Sequence, residues 1–223
     1  MNIALIMNDN SYAGREYLSN LIKNNIKIDV LNIGKFPLQN INEDKRCGNL
    51  WKPDSVKLLR NFHHFHYFDS LKSNDLLEFL IKKNYDLGIQ GGTGILKFNI
   101  ISNFKSGILN FHPGDLPLFR GCSAPEWQLF ENKPIISTCH LIDEGIDTGP
   151  VLKKKKINVS MKSYESFRAS IYPETSAFVS EVIKDLLNKK LELKFKPQDN
   201  KTAIYRKYFG DDAILELKNK FIR

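Results

Sequence analysis

The sequence predicts an α/β protein, a doubly wound and mainly parallel sheet with a small C-terminal helix-plus-tail appendage. Three observations carry this. Short apolar runs bounded by polar residues recur through the first half, as strands buried on both faces require. Helical stretches of ten or so residues separate several of them, which is the βαβ pattern. After Gly149 the alternation stops and one long amphipathic helix follows. Residues 1–160 are therefore read as the sheet domain and 161–223 as the appendage.

Residues 2–7 (NIALIM) form the first expected strand. Ser11 to Asn24 follows as a helix, with Ser11 as its cap and Leu18, Leu21 and Ile22 facing inward. Lys27–Ile33 is the second strand. Residues 34–58 are polar and broken by Pro37, Gly48 and Pro53, so they read as a long loop. Phe62–Phe68, Asp86–Gln90 and Gly107–Phe111 are the third, fourth and fifth strands, and Asn74–Lys83 is a helix between them. Val151–Val159 is a strand carrying four consecutive lysines. The helix of residues 163–188 buries Phe167, Ile171, Phe178, Val182 and Leu186, and Pro173 should kink it or mark its start. Ligands of such sheets bind at the carboxyl ends of the strands, where glycine and turn residues cluster here.

Hydrophobic residues at 42% and charged residues at 26% exclude a disordered or collagen-like chain. No apolar run reaches the roughly 20 residues of a membrane span. The N-terminus lacks the basic region of a signal peptide, so a cytoplasmic location is expected. Cys47, Cys122 and Cys139 lack any paired spacing and read as free thiols, Cys122 as a small buried hydrophobe. The formal net charge of +8 suits a phosphate-bearing partner, but it equally suits a lysine-rich surface that only keeps the chain soluble.

The most informative stretch is Gly107–Gly121 (GILNFHPGDLPLFRG). Residues two apart on a strand share a face, so Asn110 and His112 point the same way at its carboxyl end. An amide that donates two hydrogen bonds beside an imidazole that titrates near neutrality suits carbonyl chemistry. The turn Ile142–Pro150 (IDEGIDTGP) supplies carboxylates at Asp143, Glu144 and Asp147. One of them could orient His112 and raise its pKa. Each piece alone is also what an ordinary strand end or turn would show.

Together, NFHPGDLPLFRG and DEGIDTGPVL resemble the folate-dependent formyltransferases, most closely the sugar N-formyltransferases, over roughly residues 1–160. The resemblance implies that Asn110, His112 and Asp147 are the catalytic residues and that N10-formyltetrahydrofolate is the formyl donor. It also implies a donor site formed by the loop with Gly92, Thr93, Gly94, Ile95 and Leu96 and by the turn with Ile142, Asp143, Glu144 and Gly145. Ile95 and Leu96 are equally well read as core residues. In the implied mechanism an amine attacks the formyl carbon, the Asn110 amide and protonated His112 hold the oxyanion, and Asp147 orients His112 and helps take the amine's proton.

The family implies three kinds of acceptor. The methionyl-tRNA formyltransferases carry a further C-terminal barrel, for which the thirty-odd residues after the long helix are too few. The glycinamide ribonucleotide transformylases carry a glycine-rich phosphate loop, where this chain reads Asn8–Arg15 (NDNSYAGR). The expected acceptor is thus an amino sugar linked to a nucleoside diphosphate, as in polysaccharide biosynthesis. Asn10, Ser11, Arg15, Arg120, Trp127 and Tyr205 are the candidate contacts, against plain surface for the arginines and Tyr205 and plain packing for Trp127. No metal is expected: of His63, His64, His66 and His140, His63 alternates away from His64 and His66, no carboxylate or cysteine accompanies them at ligand spacing, and the resemblance implies none. Neither nucleic acid nor membrane is expected as a partner. The long helix and tail could pack on the core or form a homodimer. A formyltetrahydrofolate hydrolase and a basic RNA-binding module are the competing readings.

Overall fold

A computed structural model of the chain describes residues 1–34, 44–54 and 64–221. Nine strands occur among them: β1 (Ile3–Met7), β2 (Asp29–Ile33), β3 (His64–Phe68), β4 (Leu87–Gly91), β5 (Ile108–His112), β6 (Arg120–Gly121), β7 (Ile136–Leu141), β8 (Val151–Lys156) and β9 (Tyr205–Arg206). The helices are α1 (Tyr12–Lys23), α2 (Asn74–Lys83), α3 (Phe98–Ile101), α4 (Ala124–Phe130), α5 (Tyr164–Leu187) and α6 (Asp211–Asn219). Seven strands form one mainly parallel sheet in the order β3-β2-β1-β4-β5-β7-β8, and β6 pairs with β9 in a separate two-stranded ladder. The expected fold class is the observed one.

The described residues fall into two compact units, neither of which follows a division at residue 160. One is drawn from Met1–Asn42, Pro53–Asn110 and Val179–Leu193, the other from Glu43–Lys52, Phe111–Phe178 and Lys194–Arg223. In the first unit β1 pairs in parallel with both β2 and β4. All five β1 residues are buried, which explains why this strand reads as an unbroken apolar run. Ser11 caps α1, its hydroxyl accepting the Gly14 N–H at 3.1 Å. Leu18 and Leu21 are fully buried, while Ile22 is only half-buried. The expected bounds of α2 match the observed ones, with Ser73 as cap. β2 starts two residues later than expected, and residues 62 and 63 of the expected third strand lie outside the described residues.

In the second unit β8 runs antiparallel to β7, and the register slips between Cys139 and His140. The strand β7 and the helices α3, α4 and α6 were not expected from periodicity. The first part of α5 packs Tyr164, Phe167 and Ile171 against Phe209, Ile214 and Leu217 of the tail. The apolar face expected to serve either core or dimer is therefore consumed inside the chain. Helix α5 also runs on through Pro173, which neither starts nor ends it. Its buried face compensates for the backbone hydrogen bond that proline removes.

The polar stretch expected as a loop is anchored where it is described. Residues 45–47 form a single 3-10 turn capped by Asp44. The Asp44 carboxylate is buried, pairs with Arg46 at 2.9 Å, and accepts the Tyr172 hydroxyl at 2.9 Å. Burial pushes this carboxyl up, but Arg46, Arg168 and Tyr172 together bring it down to about 2. Trp51 stacks on Tyr172 with ring centroids 4.2 Å apart. Positions 35–43 and 55–58 of that stretch lie outside the described residues.

Helix α1 lies so close to β4 that a Cβ on Gly14 would come within 2.3 Å of the Gly91 carbonyl oxygen. That oxygen belongs to a paired strand and cannot swing away. Gly14→Ala should therefore destabilise the protein by about 1–3 kcal/mol, although alanine is the better helix former. A lower urea midpoint with an unchanged slope is the expected result. A midpoint at or above that of the parent would refute the close approach.

Candidate active site

Strand β5 ends in the pair that the sequence singles out. Ile108 and Leu109 are fully buried, and strand alternation sets Asn110 and His112 on one face. Pro113 stops the strand, and β7 takes up the carbonyls beyond it. The Ser137 hydroxyl donates to His112 O at 3.2 Å, and the Thr138 hydroxyl donates to Gly114 O at 2.7 Å. His112 is 7% exposed, so its ring cannot turn freely. Its Nε2 lies 2.6 Å from the Phe119 carbonyl, which can only accept, so Nε2 carries the proton of that bond.

Asp147 closes the other side of the ring. One carboxylate oxygen, Oδ2, lies 3.5 Å from His112 Nδ1 and accepts the Gly121 N–H at 2.8 Å. The other, Oδ1, lies 3.6 Å from His140 Nε2. His140 is 2% exposed and its Nδ1 donates to the Leu141 carbonyl at 2.7 Å. A buried carboxylate thus sits between two buried imidazoles, each of which also faces a carbonyl oxygen. The Asp147 backbone adopts a left-handed conformation, φ 55°, which costs a non-glycine residue about 1–2 kcal/mol. Gly121, at φ 91°, leaves no room for a side chain, because a Cβ there would meet the Arg206 carbonyl at 2.5 Å.

The electrostatics correct one expectation. Burial lowers the His112 pKa more than Asp147 and the Phe119 carbonyl raise it, so the net shift is downward. The ring is neutral at pH 7, a base rather than a standing cation. For Asp147, burial pushes the carboxyl up, but the His140 contact, the neighbouring His112 ring and the Gly121 amide bring it below its ordinary value. The sequence reading weighed His140 only as a metal candidate, because its strand was not recognised. Strand β7 is buried continuously from Ser137 to His140 and shows no period-2 alternation, and its register slips at this residue.

The donor-loop candidates lie in the first unit at the carboxyl end of β4, with Met7 of β1 paired to Gly91. Ser11 stands so near Gly92 that a Cβ there would lie 2.1 Å from its hydroxyl. Thr93 donates to Gln90 Oε1 at 2.8 Å, and the Gln90 amide donates to Gly94 O at 2.6 Å, which stiffens the loop. Ile95 is 70% exposed, but Leu96 is 2% exposed and belongs to the core, so its side chain is withdrawn from any ligand. Phe98, 68% exposed, is a neighbouring apolar group that the sequence reading passed over. Exposed apolar side chains beside exposed backbone fit the flat, partly polar ring of a pterin. In the second unit Ile142 is half-buried, and Glu144 and Gly145 are exposed. Asp143 braces its own turn, accepting from the Gly145 N–H at 3.2 Å and from the Thr148 hydroxyl.

The acceptor candidates separate. Asn10 is exposed, with its N–H donating to Asn8 Oδ1. Arg15 is 8% exposed, and burial lowers its pKa against the opposing charges of Asp9 and Asp54, so it is a core cation rather than surface. Arg120 is 3% exposed and its guanidinium donates to Gln198 Oε1 and Asn200 Oδ1, which withdraws it from a diphosphate. Trp127 donates from Nε1 to Lys207 O at 2.9 Å and packs edge-on against Phe209, the packing role weighed for it. Tyr205 remains exposed, its ring 5.6 Å from the Arg120 guanidinium. Cys122 is exposed, not buried, because it follows Gly121 in the turn before α4. Among the described residues, no group of three or more His, Cys, Asp or Glu is placed to hold a metal ion. No helix among them is long and apolar enough to cross a membrane.

Residues 1–183 match the family model described as formyl transferase. A methionyl-tRNA formyltransferase from Thermosynechococcus vestitus is 30% identical over 112 residues, 50% of this chain and 33% of that protein. Curated relatives of this name are spanned over only 30% to 60% of their own lengths. Two solved structures show the same fold. A formyltransferase from Anoxybacillus kamchatkensis, in complex with UDP-4,6-dideoxy-4-formamido-L-AltNAc and tetrahydrofolate, aligns over 84% of this chain and 90% of its own, at TM-score 0.57 and 21% identity. An N-formyltransferase from Helicobacter canadensis, in complex with folinic acid and dTDP-3-aminofucose, aligns over 92% of this chain and 71% of its own, at TM-score 0.61 and 18% identity.

The downward shift of His112 has a defined sign in stability. A group whose pKa is lower in the folded state binds more protons when unfolded, so it stabilises the fold fully above its unfolded pKa. That contribution is lost as the pH falls below about 6.5 toward the folded value. His112→Asn should remove this component and flatten the pH dependence of the unfolding free energy between about pH 7 and pH 5. Urea titrations of both proteins across that interval decide it, and parallel curves would contradict the buried, neutral ring.

Proposed function

The chain belongs to the formyl transferase family, and from that footing we propose that it moves a formyl group from N10-formyltetrahydrofolate to the amine of a nucleoside-diphosphate-linked amino sugar. One arrangement carries the chemistry. Asp147 lies 3.5 Å from His112 Nδ1, and Asn110 stands two residues before His112 on the same strand face. When bound, the donor supplies an activated formyl carbon, and the exposed Ile95 and Phe98 are the groups to hold its pterin. The Asn110 amide donates to the formyl oxygen as negative charge builds there. The neutral His112 ring, braced by Asp147, takes the proton that the attacking amine loses, and that proton passes to the folate N10 as the bond between N10 and the formyl carbon breaks. That role replaces the protonated His112 of the implied mechanism, because burial disfavours a standing charge on the ring.

The sugar acceptor draws support from the ligands named for the Anoxybacillus and Helicobacter proteins, both nucleotide-linked amino or formamido sugars. The net charge of +8 also suits a diphosphate. Initiator tRNA is the second reading, since curated relatives at about 30% identity are methionyl-tRNA formyltransferases. A cytoplasmic location accords with three free cysteines.

Asn110→Ala and His112→Ala should each lower turnover by about 10²–10³ with little change in donor affinity. Asp147→Asn should keep the fold and lose most turnover. Near-normal turnover in these variants would remove the site assignment. A panel assay with N10-formyltetrahydrofolate, comparing amino-sugar nucleotides, free amino sugars, charged initiator tRNA and glycinamide ribonucleotide, tests the acceptor. The nucleotide sugars should react best, and their affinity should weaken with added salt. Preference for tRNA or glycinamide ribonucleotide would overturn the substrate while leaving the chemistry.

A further inference from the structure

Asp147 is held by more than its carboxylate contacts. The tail residue Gln198 reaches it from the last chain segment of the second unit. Its Nε2 donates to the Asp147 carbonyl at 2.9 Å and to the Gly149 carbonyl at 2.7 Å. Its Oε1 accepts from Arg120 Nε at 3.1 Å and from Arg120 Nη2 at 2.8 Å. A guanidinium only donates and a carbonyl only accepts, so the orientation of this amide is dictated by its neighbours. All four of its hydrogen-bonding positions are filled.

The bonds form a closed circuit. Arg120 adjoins Gly121, whose N–H holds the Asp147 carboxylate. Gln198 ties the Asp147 main chain to that same Arg120. Backbone and side chain of Asp147 are thus both referenced to one two-residue strand, β6. The strand is pinned in turn by the tail, with the Arg120 N–H donating to Ile204 O and the Cys122 N–H donating to Arg206 O, both at 3.0 Å. A left-handed residue at φ 55° needs such restraint, because its relaxed conformations lie elsewhere.

We propose that Gln198 is a positioning residue, bridging the Arg120 guanidinium to the carbonyls of Asp147 and Gly149 so that the Asp147 carboxylate stays against His112. The proposal rests on the catalytic reading of Asp147 only for its consequence in turnover. The circuit itself can be tested without any substrate.

The full-length chain is compared with Gln198→Met, which removes all four bonds, and Gln198→Glu, which keeps the two to Arg120 and loses the two to the carbonyls. Hydrogen exchange at the Gly121 amide should quicken about tenfold in both. In the neutral Gln198→Met variant the His112 ring, which also faces His140 and the Phe119 carbonyl, should titrate lower by about half a pH unit as Asp147 withdraws. Asn200→Ala, which breaks a bond to Arg120 without touching Asp147, should leave both readings at the parent values. With N10-formyltetrahydrofolate and the acceptor that the panel selects, kcat should fall about tenfold in the Gln198 variants at unchanged donor KM. Parent-like Gly121 exchange in Gln198→Glu, or equal changes in Asn200→Ala, would overturn the proposal. If Gln198→Met does not fold, Gln198→Glu decides alone. Altered exchange without any formyl transfer by the parent would sustain the positioning role and discard the catalytic reading.

Discussion

Asp147 carries its charge at 11% side-chain exposure, and a carboxylate removed from water must find its partners inside the fold. Much of the second unit is arranged around that requirement. Strand β5 delivers His112, β7 delivers His140, and the short strand β6 delivers the Gly121 amide. The position also imposes a left-handed backbone at residue 147. Removing any one partner leaves a buried charge with less compensation, a costlier event than losing a surface pair. The same logic, without catalytic geometry, governs the buried Asp44 with Arg46, Arg168 and Tyr172.

The proton inventory of the site follows from its acceptors. His112 faces a carboxylate and a carbonyl, and so does His140. Those acceptors would hold a proton on His112 tightly in water. Burial opposes this at His112 and prevails, leaving a ring that can accept a proton during a reaction rather than before it. The site is therefore better matched to taking a proton from an amine than to presenting a fixed positive charge.

The legible parts of the fold were those whose signals are local. Helix α2 has its cap, its period and its end within twelve residues, and its bounds agree with the reading. β1 announces itself through continuous burial, and β4 through burial at every residue but Gln90. Strand β7 did not, because its buried Ser137, Thr138 and His140 make a polar string whose partners lie on β5, at Gly114 just beyond it and in the turn before β8. Arg120 was misplaced, and Leu96 was left open between core and ligand, for a related reason. Apolar or charged character says what a residue prefers, and only its neighbours say whether Leu96 is covered or Arg120 is already bonded.

By itself the sequence determined the sheet class, the strand that bears Asn110 and His112, and the turn that bears Asp147. These follow from periods of two and 3.6 and from glycine and proline punctuation, all properties of the chain over a few residues. Only the tertiary structure decided that His140 shares the carboxylate, that Gln198 braces it from about fifty residues away, and that His112 is neutral. Each of those outcomes depends on desolvation and on hydrogen bonds between distant segments, and neither quantity exists until the chain has folded.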